Sequence, residues 1–419
     1  MGYTISEKIL MKKAGETEVE PGDIVNANVD LAMSHDNAAL VSKVFGEIGV
    51  GNVWDAERIV IPIDHRVPAN NIKTAEGHKR IREFVKAQGI RHFYDIREGV
   101  CHQIMPELGH VVPGDLIVGT DSHTTTYGAF GAFSTGIGAT EMAAVWATGE
   151  LWLKVPETFK ITLNGQLPEH VYSKDVILHI AGELTAEGAN YKAIEYYGPA
   201  LDAMSVGARM TITNMSMEMG AKAAISVADR KVLEYLKGRT DSEGEIVTAD
   251  TDATYEQELE YDVCELVPKV ACPHAVDNVK AVEEVAGTPI HQAVLGSCTN
   301  GRVEDLKAGV DMLKGRKIND NVRLIVAPAS RQVYLNAMEQ GILKTFVEAG
   351  GVVINPGCGP CLGAHEGILA AGENCIASTN RNFQGRMGST EAGIYLASPA
   401  TVVASAVAGE ITDPRGVKQ

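Results

Sequence analysis

The chain has no long apolar run. No stretch of about 18 consecutive apolar residues occurs, so a membrane-crossing helix is not expected. Nothing at its start reads as a secretory signal, because the residues from Ile5 onward enter an amphipathic helix. A disulfide framework is missing as well. The seven cysteines (101, 264, 272, 298, 358, 361 and 375) are odd in number and follow no disulfide spacing, which predicts a reducing cytoplasm. Basic charge is scarce: 37 lysines and arginines face 54 aspartates and glutamates, for a net charge of −17. That balance argues against nucleic acid and anionic membrane as partners, but leaves room for an anionic small molecule in a locally basic pocket. Internal repeats and low-complexity segments are absent. The Gly-rich stretch 128–138 has neither a GxGxxG with a downstream acid nor a GK[ST] ending, so it is no phosphate loop.

What is present is a globular composition, 45% hydrophobic and 22% charged, long enough for about two to four domains. Three thiols stand out. Cys298 lies in Gly296-Ser297-Cys298-Thr299-Asn300, and Cys358 and Cys361 lie in Asn355-Pro356-Gly357-Cys358-Gly359-Pro360-Cys361-Leu362-Gly363. Turns rich in Gly and Pro let bare backbone approach iron and sulfide, and suit a buried inorganic cluster. Three other readings compete. Cys-Gly-Pro-Cys also spells a thioredoxin redox motif, although here it lies late in a long chain between helix-breaking glycines. A Cys3His zinc site using His365 is chemically allowed. Three ordinary core cysteines would leave the Gly/Pro setting unexplained.

Periodicity predicts helices over 5–13, 35–48, 73–88, 139–151, 174–184, 302–313, 330–347 and 400–408. It predicts strands over 58–63, 92–95, 115–119, 158–163, 291–295, 322–326, 352–354 and 375–378. The acidic stretch 238–262, with Asp241, Glu243, Glu245, Asp250 and Asp252, reads as a solvated connection, and 128–138 as turns. Asp64-His65, Asp121-His123, Cys298, Cys358 and Arg381 all fall just past the carboxyl end of a predicted strand. Open α/β sheets bind ligands outside those ends, so these residues are expected to converge on one site.

The chemistry follows from the residue types. A four-iron cluster held by three cysteines has one iron without a protein thiolate, a Lewis acid for a hydroxyl leaving group and a neighbouring carboxylate. Reversible dehydration of a hydroxy acid also needs an acid and a base. Asp64-His65 and Asp121-Ser122-His123 are the candidate pairs, with His102 a third candidate. Arg381 and Arg386 suit carboxylate binding. Glu218 stands in an otherwise apolar run, Met215 to Ala221.

In this order, Gly-Ser-Cys-Thr-Asn, Pro-Gly-Cys-Gly-Pro-Cys-Leu-Gly and Asn-Arg-Asn-Phe-x-Gly-Arg are signatures, and the chain resembles the aconitase superfamily across nearly its whole length. Within it, the resemblance is to the large subunits of two-subunit isopropylmalate isomerases and homoaconitases. It implies three α/β domains around a cluster-containing cleft (1–150, 151–284 and 285–419), without the family's swivelling fourth domain. It implies a [4Fe-4S] cluster on Cys298, Cys358 and Cys361. Asp64, His65, His102, Asp121, His123 and Glu218 become catalytic positions, with Arg381, Arg386 and Asn380 on the substrate side and Asn380 next to the cluster. The other four cysteines match no ligand position. The missing domain implies an obligate small subunit, hence a heterodimer, that supplies the serine taking the carbon-bound proton. The implied reaction interconverts 2- and 3-isopropylmalate; homoaconitate hydration and a dimethylmalate-type dehydration use the same chemistry on another small hydroxy acid. An iron-responsive RNA-binding relative is a reading of a different class, and the acidic charge and intact catalytic positions speak against it.

Overall fold

The computed structural model describes residues 2–242 and 244–417; Glu243 of the acidic stretch lies outside them. Four sheets form among the described residues. The first has five strands, in the spatial order His92–Tyr94, Ile59–Pro62, Leu31–Met33, Leu116–Gly119, Phe133–Gly136, and every pair is parallel. Ile59–Pro62 and Leu116–Gly119 are buried at every position. Continuous apolar runs of this kind mark parallel strands covered on both faces. A second, wholly parallel sheet has the order Ala223–Ser226, Ala193–Tyr197, Thr158–Asn164, Gln257–Asp262.

The third sheet has seven strands. Gly393–Ala397, Asn374–Ala377, Gln292–Gly296, Arg323–Ala327 and Val352–Val353 run parallel, and Lys269–Ala271 and Val279–Ala281 add antiparallel pairs at one edge. A two-stranded antiparallel ribbon pairs Ile24–Asn28 with Glu150–Lys154.

Two of these sheets reverse their winding where the chemistry-bearing residues lie. In the first, the chain winds outward from Leu31–Met33 to His92–Tyr94, then returns to the other side of Leu31–Met33 as Leu116–Gly119. In the third, it winds from Gln292–Gly296 to Val352–Val353, then returns beside Gln292–Gly296 as Asn374–Ala377. Each reversal opens a crevice past the carboxyl ends of two neighbouring strands.

Three expectations are corrected. The region 330–347 is two helices, Arg331–Glu339 and Ile342–Glu348, broken by Gly341 at φ +73°. The stretch 128–138 holds the end of a 3-10 helix, Ser122–Phe130, and the buried strand Phe133–Gly136. The connection 238–262 ends in the edge strand Gln257–Asp262, whose mostly exposed, acidic sequence disguised it. Charged side chains on an edge discourage pairing with another chain, and remove the apolar alternation that marks a strand.

Candidate active site

The strand Leu31–Met33 runs straight into Ser34-His35-Asp36, and Asp36 organises the next strand end. Its Oδ2 accepts the N–H groups of Asp64 (3.0 Å) and His65 (2.8 Å), its Oδ1 accepts that of Arg66 (3.2 Å), and His78 Nε2 lies 3.1 Å from Oδ1. Burial works against that carboxylate's charge, but His78 and these donors hold its pKa far below the usual range.

The turn so fixed presents Asp64 and His65. Asp64 is fully buried, accepting His65 Nδ1–H at 2.6 Å and the Cys101 N–H at 2.7 Å. His65 stacks on His35 with ring centroids 3.8 Å apart, and its Nε2 lies 3.4 Å from Asp121 Oδ2. Asp121 Oδ1 meets His102 Nε2 at 2.8 Å and the His123 N–H at 2.8 Å. His123 Nε2 meets Glu218 at 2.6 Å, and Glu218 accepts Arg381 Nε at 2.9 and 3.1 Å. One chain of hydrogen bonds and close ionic contacts thus runs from Asp64 to Arg381.

Its electrostatics follow from burial opposed by pairing. Burial disfavours the His65 imidazolium, but Asp64 and Asp121 carry its pKa well above the ordinary value. Burial and Arg381 lower His123, while Asp121 and Glu218 outweigh them and raise it. Asp121 and Glu218 are lowered despite burial, through their histidine partners and, for Glu218, Arg381. The network therefore holds paired charges, not a lone acid.

The thiols assemble at the second reversal. Gly296 has φ +140°, and a Cβ there would come within 2.0 Å of the Ala327 carbonyl oxygen, so only glycine admits the approach. The next residue, Ser297, is held at φ +77°, a strained turn that points Cys298 inward. Asn214 Nδ2 and Asn380 Nδ2 stand 3.4 and 3.5 Å from Cys298 Sγ. Asn380 Oδ1 lies 3.4 Å from Cys361 Sγ, whose sulfur also has Arg386 Nη2 at 3.9 Å. The Cys358 thiol at its side, then Arg386 and His123, favour a Cys361 thiolate against burial. Cys298 is pushed up to about 11 by burial. The Cys358 N–H donates to the Asp64 carbonyl at 2.9 Å, which ties the two strand-end clusters together.

Cys298, Cys358 and Cys361 line one cavity of about 160 Å³ with His65, His102, Asp121, His123, Asn380, Arg381 and Arg386. Of the twelve expected site residues, only Asp64 and Glu218 lie outside its lining, each directly behind a residue that forms it. The donor set fits an iron–sulfur cluster: three buried thiols free of disulfides converge, and amide and guanidinium donors surround two of the sulfurs. The zinc alternative loses its fourth ligand, since His365 is absent from the cavity lining and its Nδ1 faces Glu366 at 3.2 Å.

Some residues at the site escaped the sequence reading. His35 and Asp36 sit just past a strand end, as the expected residues do, but the span 35–48 reads as helix and hid them. Asn214 lies near the end of the helix Val206–Ser216, four residues before Glu218, which sits in the 3-10 turn Met217–Met219 that follows. Cys101 lines the cavity as a fourth cysteine, and Ser122 Oγ receives Arg381 Nη2 at 2.9 Å.

The aconitase family model (aconitate hydratase) matches residues 7–288 and 278–409. The chain is similar to a 3-isopropylmalate dehydratase large subunit of Methanopyrus kandleri, 56% identical over 99% of both chains. It is similar to a probable 3-isopropylmalate dehydratase large subunit of Methanothermobacter thermautotrophicus, 52% identical over the full length of both. A probable methanogen homoaconitase large subunit of that same organism is 51% identical over 98% of this chain and 97% of its own length. Among solved structures, the holo-form of Thermococcus kodakaraensis aconitase X shares the fold, at TM-score 0.51 and 13% identity, over 90% of this chain and 88% of its own. The chain belongs to the aconitase family, and that membership implies an iron–sulfur cluster.

Proposed function

We infer that the chain is the large subunit of a 3-isopropylmalate dehydratase, a hydro-lyase of leucine biosynthesis that interconverts 2- and 3-isopropylmalate in the cytoplasm. The observation that carries this is the meeting of three thiols and a paired acid/base network in one small cavity. Cys298, Cys358 and Cys361 would hold a [4Fe-4S] cluster, which when bound supplies a Lewis acid for the hydroxyl leaving group.

The chain's own groups account for the rest. His65 is the proton carrier for the departing hydroxyl. Asp64 fixes Nδ1–H, so the proton that moves is at Nε2, facing Asp121. Asp121 aligns His102 and His123 around that position, and Glu218 orients both His123 and Arg381. Arg381 spends Nε and Nη2 on Glu218 and Ser122, and has no acceptor at Nη1 among the described residues. That group and Arg386, whose guanidinium lies 5.4 Å above the Phe383 ring, are the cationic walls for substrate carboxylates.

The remaining needs are a base for the carbon-bound proton and a pocket for the substrate's side chain. A separate small subunit would supply both, in a heterodimer. The sections 1–150, 151–284 and 285–419 would be its three α/β domains, except that Lys269–Ala271 and Val279–Ala281 pair into the seven-stranded sheet of the third section, which moves that boundary toward the N-terminus.

Homoaconitase is the second reading, because a relative of that name is 51% identical, against 56% and 52% for the two dehydratase subunits. Anaerobic co-production with the neighbouring small-subunit gene decides between them. Isopropylmalate, homocitrate and dimethylmalate would be supplied in turn while the ultraviolet absorbance of the unsaturated acid is followed. Turnover of isopropylmalate alone is the expected result; turnover of homocitrate alone would replace the assignment.

A further inference from the structure

The helix Ser173–Leu184 connects two strands of the four-stranded sheet, Thr158–Asn164 and Ala193–Tyr197, and its Lys174 reaches under the seven-stranded sheet's reversal. The residue is completely buried. Its Nζ donates to the carbonyl oxygens of Ser378 (3.0 Å) and Thr379, the two residues before Asn380-Arg381. Ser378 Oγ also accepts the Gly296 N–H at 2.9 Å, so the lysine lies beneath the junction of the Cys298 and Asn380 turns.

No carboxylate pairs with this ammonium among the described residues. The nearby Asp175 carboxylate accepts the Tyr172 and Lys269 N–H groups instead, and that of Asp305 accepts the Arg302 N–H and Asn300 Nδ2. Burial disfavours its charge and brings its pKa down to about 7, and the sulfurs of Cys361 and Cys298 are what favour the charge most. An unpaired charge in a protein interior is costly unless an anion offsets it. Three thiolates around an iron–sulfur cluster carry net negative charge and are the anion this lysine lacks.

We propose that Lys174 is the buried counter-charge of the iron–sulfur centre, a positioning residue that holds the 378–381 turn and stabilises the cluster's negative charge without touching substrate. The proposal rests on the reading that Cys298, Cys358 and Cys361 hold the cluster.

The test uses the full chain purified anaerobically, as wild type, Lys174→Met and Lys174→Gln. Glutamine keeps a donor for the carbonyls and removes only the charge. Iron and sulfide content of the wild type checks the underlying reading on its own: a wild type without either sinks the cluster assignment whatever the variants do. With the cluster present, both variants should lower its midpoint potential, because losing a nearby cation disfavours the more negative reduced state. A tenfold change in the oxidised-to-reduced balance is expected, ~59 mV for one electron. Both should also release iron to a chelator several-fold faster, while their cluster-free forms unfold as the cluster-free wild type does. A Lys174→Gln chain with wild-type potential and iron release would reduce Lys174 to a plain donor for two carbonyls. Cluster-free variants that unfold early, or do not fold, would make it a structural residue and overturn the proposal.

Discussion

The two strand-end clusters differ in how completely the chain satisfies them. At the reversal beside Leu31–Met33, nearly every carboxylate meets an imidazole or guanidinium partner: Asp36 with His78, Asp64 with His65, Asp121 with His102 and His123, and Glu218 with Arg381. At the reversal beside Gln292–Gly296, the chain leaves a thiol pushed up by burial and a buried lysine with no carboxylate. The first cluster pairs its groups with one another and so holds His65 and Arg381 in place at the cavity, whereas the second gathers three thiols and a buried lysine with no carboxylate among the described residues. The lesson is one of electrostatics: carboxylates paired within the protein fix the groups that act on substrate, and thiols gathered around one cavity suit a bound inorganic group.

Variants at each cluster should break that contrast in different ways. Cys358→Ala, at the thiol cluster, has the largest expected effect. Iron and sulfide content and all turnover should disappear while the far-ultraviolet circular dichroism is retained. Retained iron would move the ligand role to Cys101, the other cysteine in the cavity lining.

His65→Gln comes next, with loss of the order of 10²–10⁴-fold in kcat and the cluster intact. Asp64→Asn should shift the basic limb of the rate profile to lower pH, because Asp64 is the charge that most raises His65. The same shift has a sign for stability. His65's folded pKa lies above its unfolded value, so its contribution is fully present below about pH 6.5 and lost as pH rises through the raised value. Denaturant unfolding of wild type and Asp64→Asn across that window measures it.

Asp36→Asn should cost about 1–3 kcal/mol of stability, measured by denaturant unfolding, equally with and without the cluster. Unequal losses would show that the paired cluster also depends on the bound group. His35→Phe keeps a ring against His65 and loses the Nε2–H bond to the Thr120 carbonyl at 3.1 Å and the 4.0 Å approach of Nε2 to Asp121. It should have the smallest effect, about 0.5–1.5 kcal/mol of stability. A shifted rate profile would instead make the imidazole of His35 part of the proton path.

Much of the site was legible because the chemistry-bearing residues follow strand ends. Apolar runs such as Arg58-Ile59-Val60-Ile61-Pro62-Ile63 announce a strand, and the polar pair after it announces an exit. The same rule failed at Ser34-His35-Asp36, where three strand residues are too few to register against a following helix. It failed differently at Gln257–Asp262, an edge strand without an apolar face. Lys174 carried no signal, since a lysine early in an amphipathic helix reads as a solvated one.

By itself the sequence determined the inventory: three thiols on Gly/Pro turns, the Asp-His pairs, two arginines near Asn380, and their places after strands. These are local facts, set by backbone freedom and by the period of side-chain alternation. Tertiary structure alone decided the partners. Asn214 meets Cys298, Glu218 meets His123 and Arg381, and Lys174 meets Ser378 across separations of 84, 95, 163 and 204 residues. No local periodicity encodes such pairings. They arise where two sheets reverse their winding and pack their open crevices together.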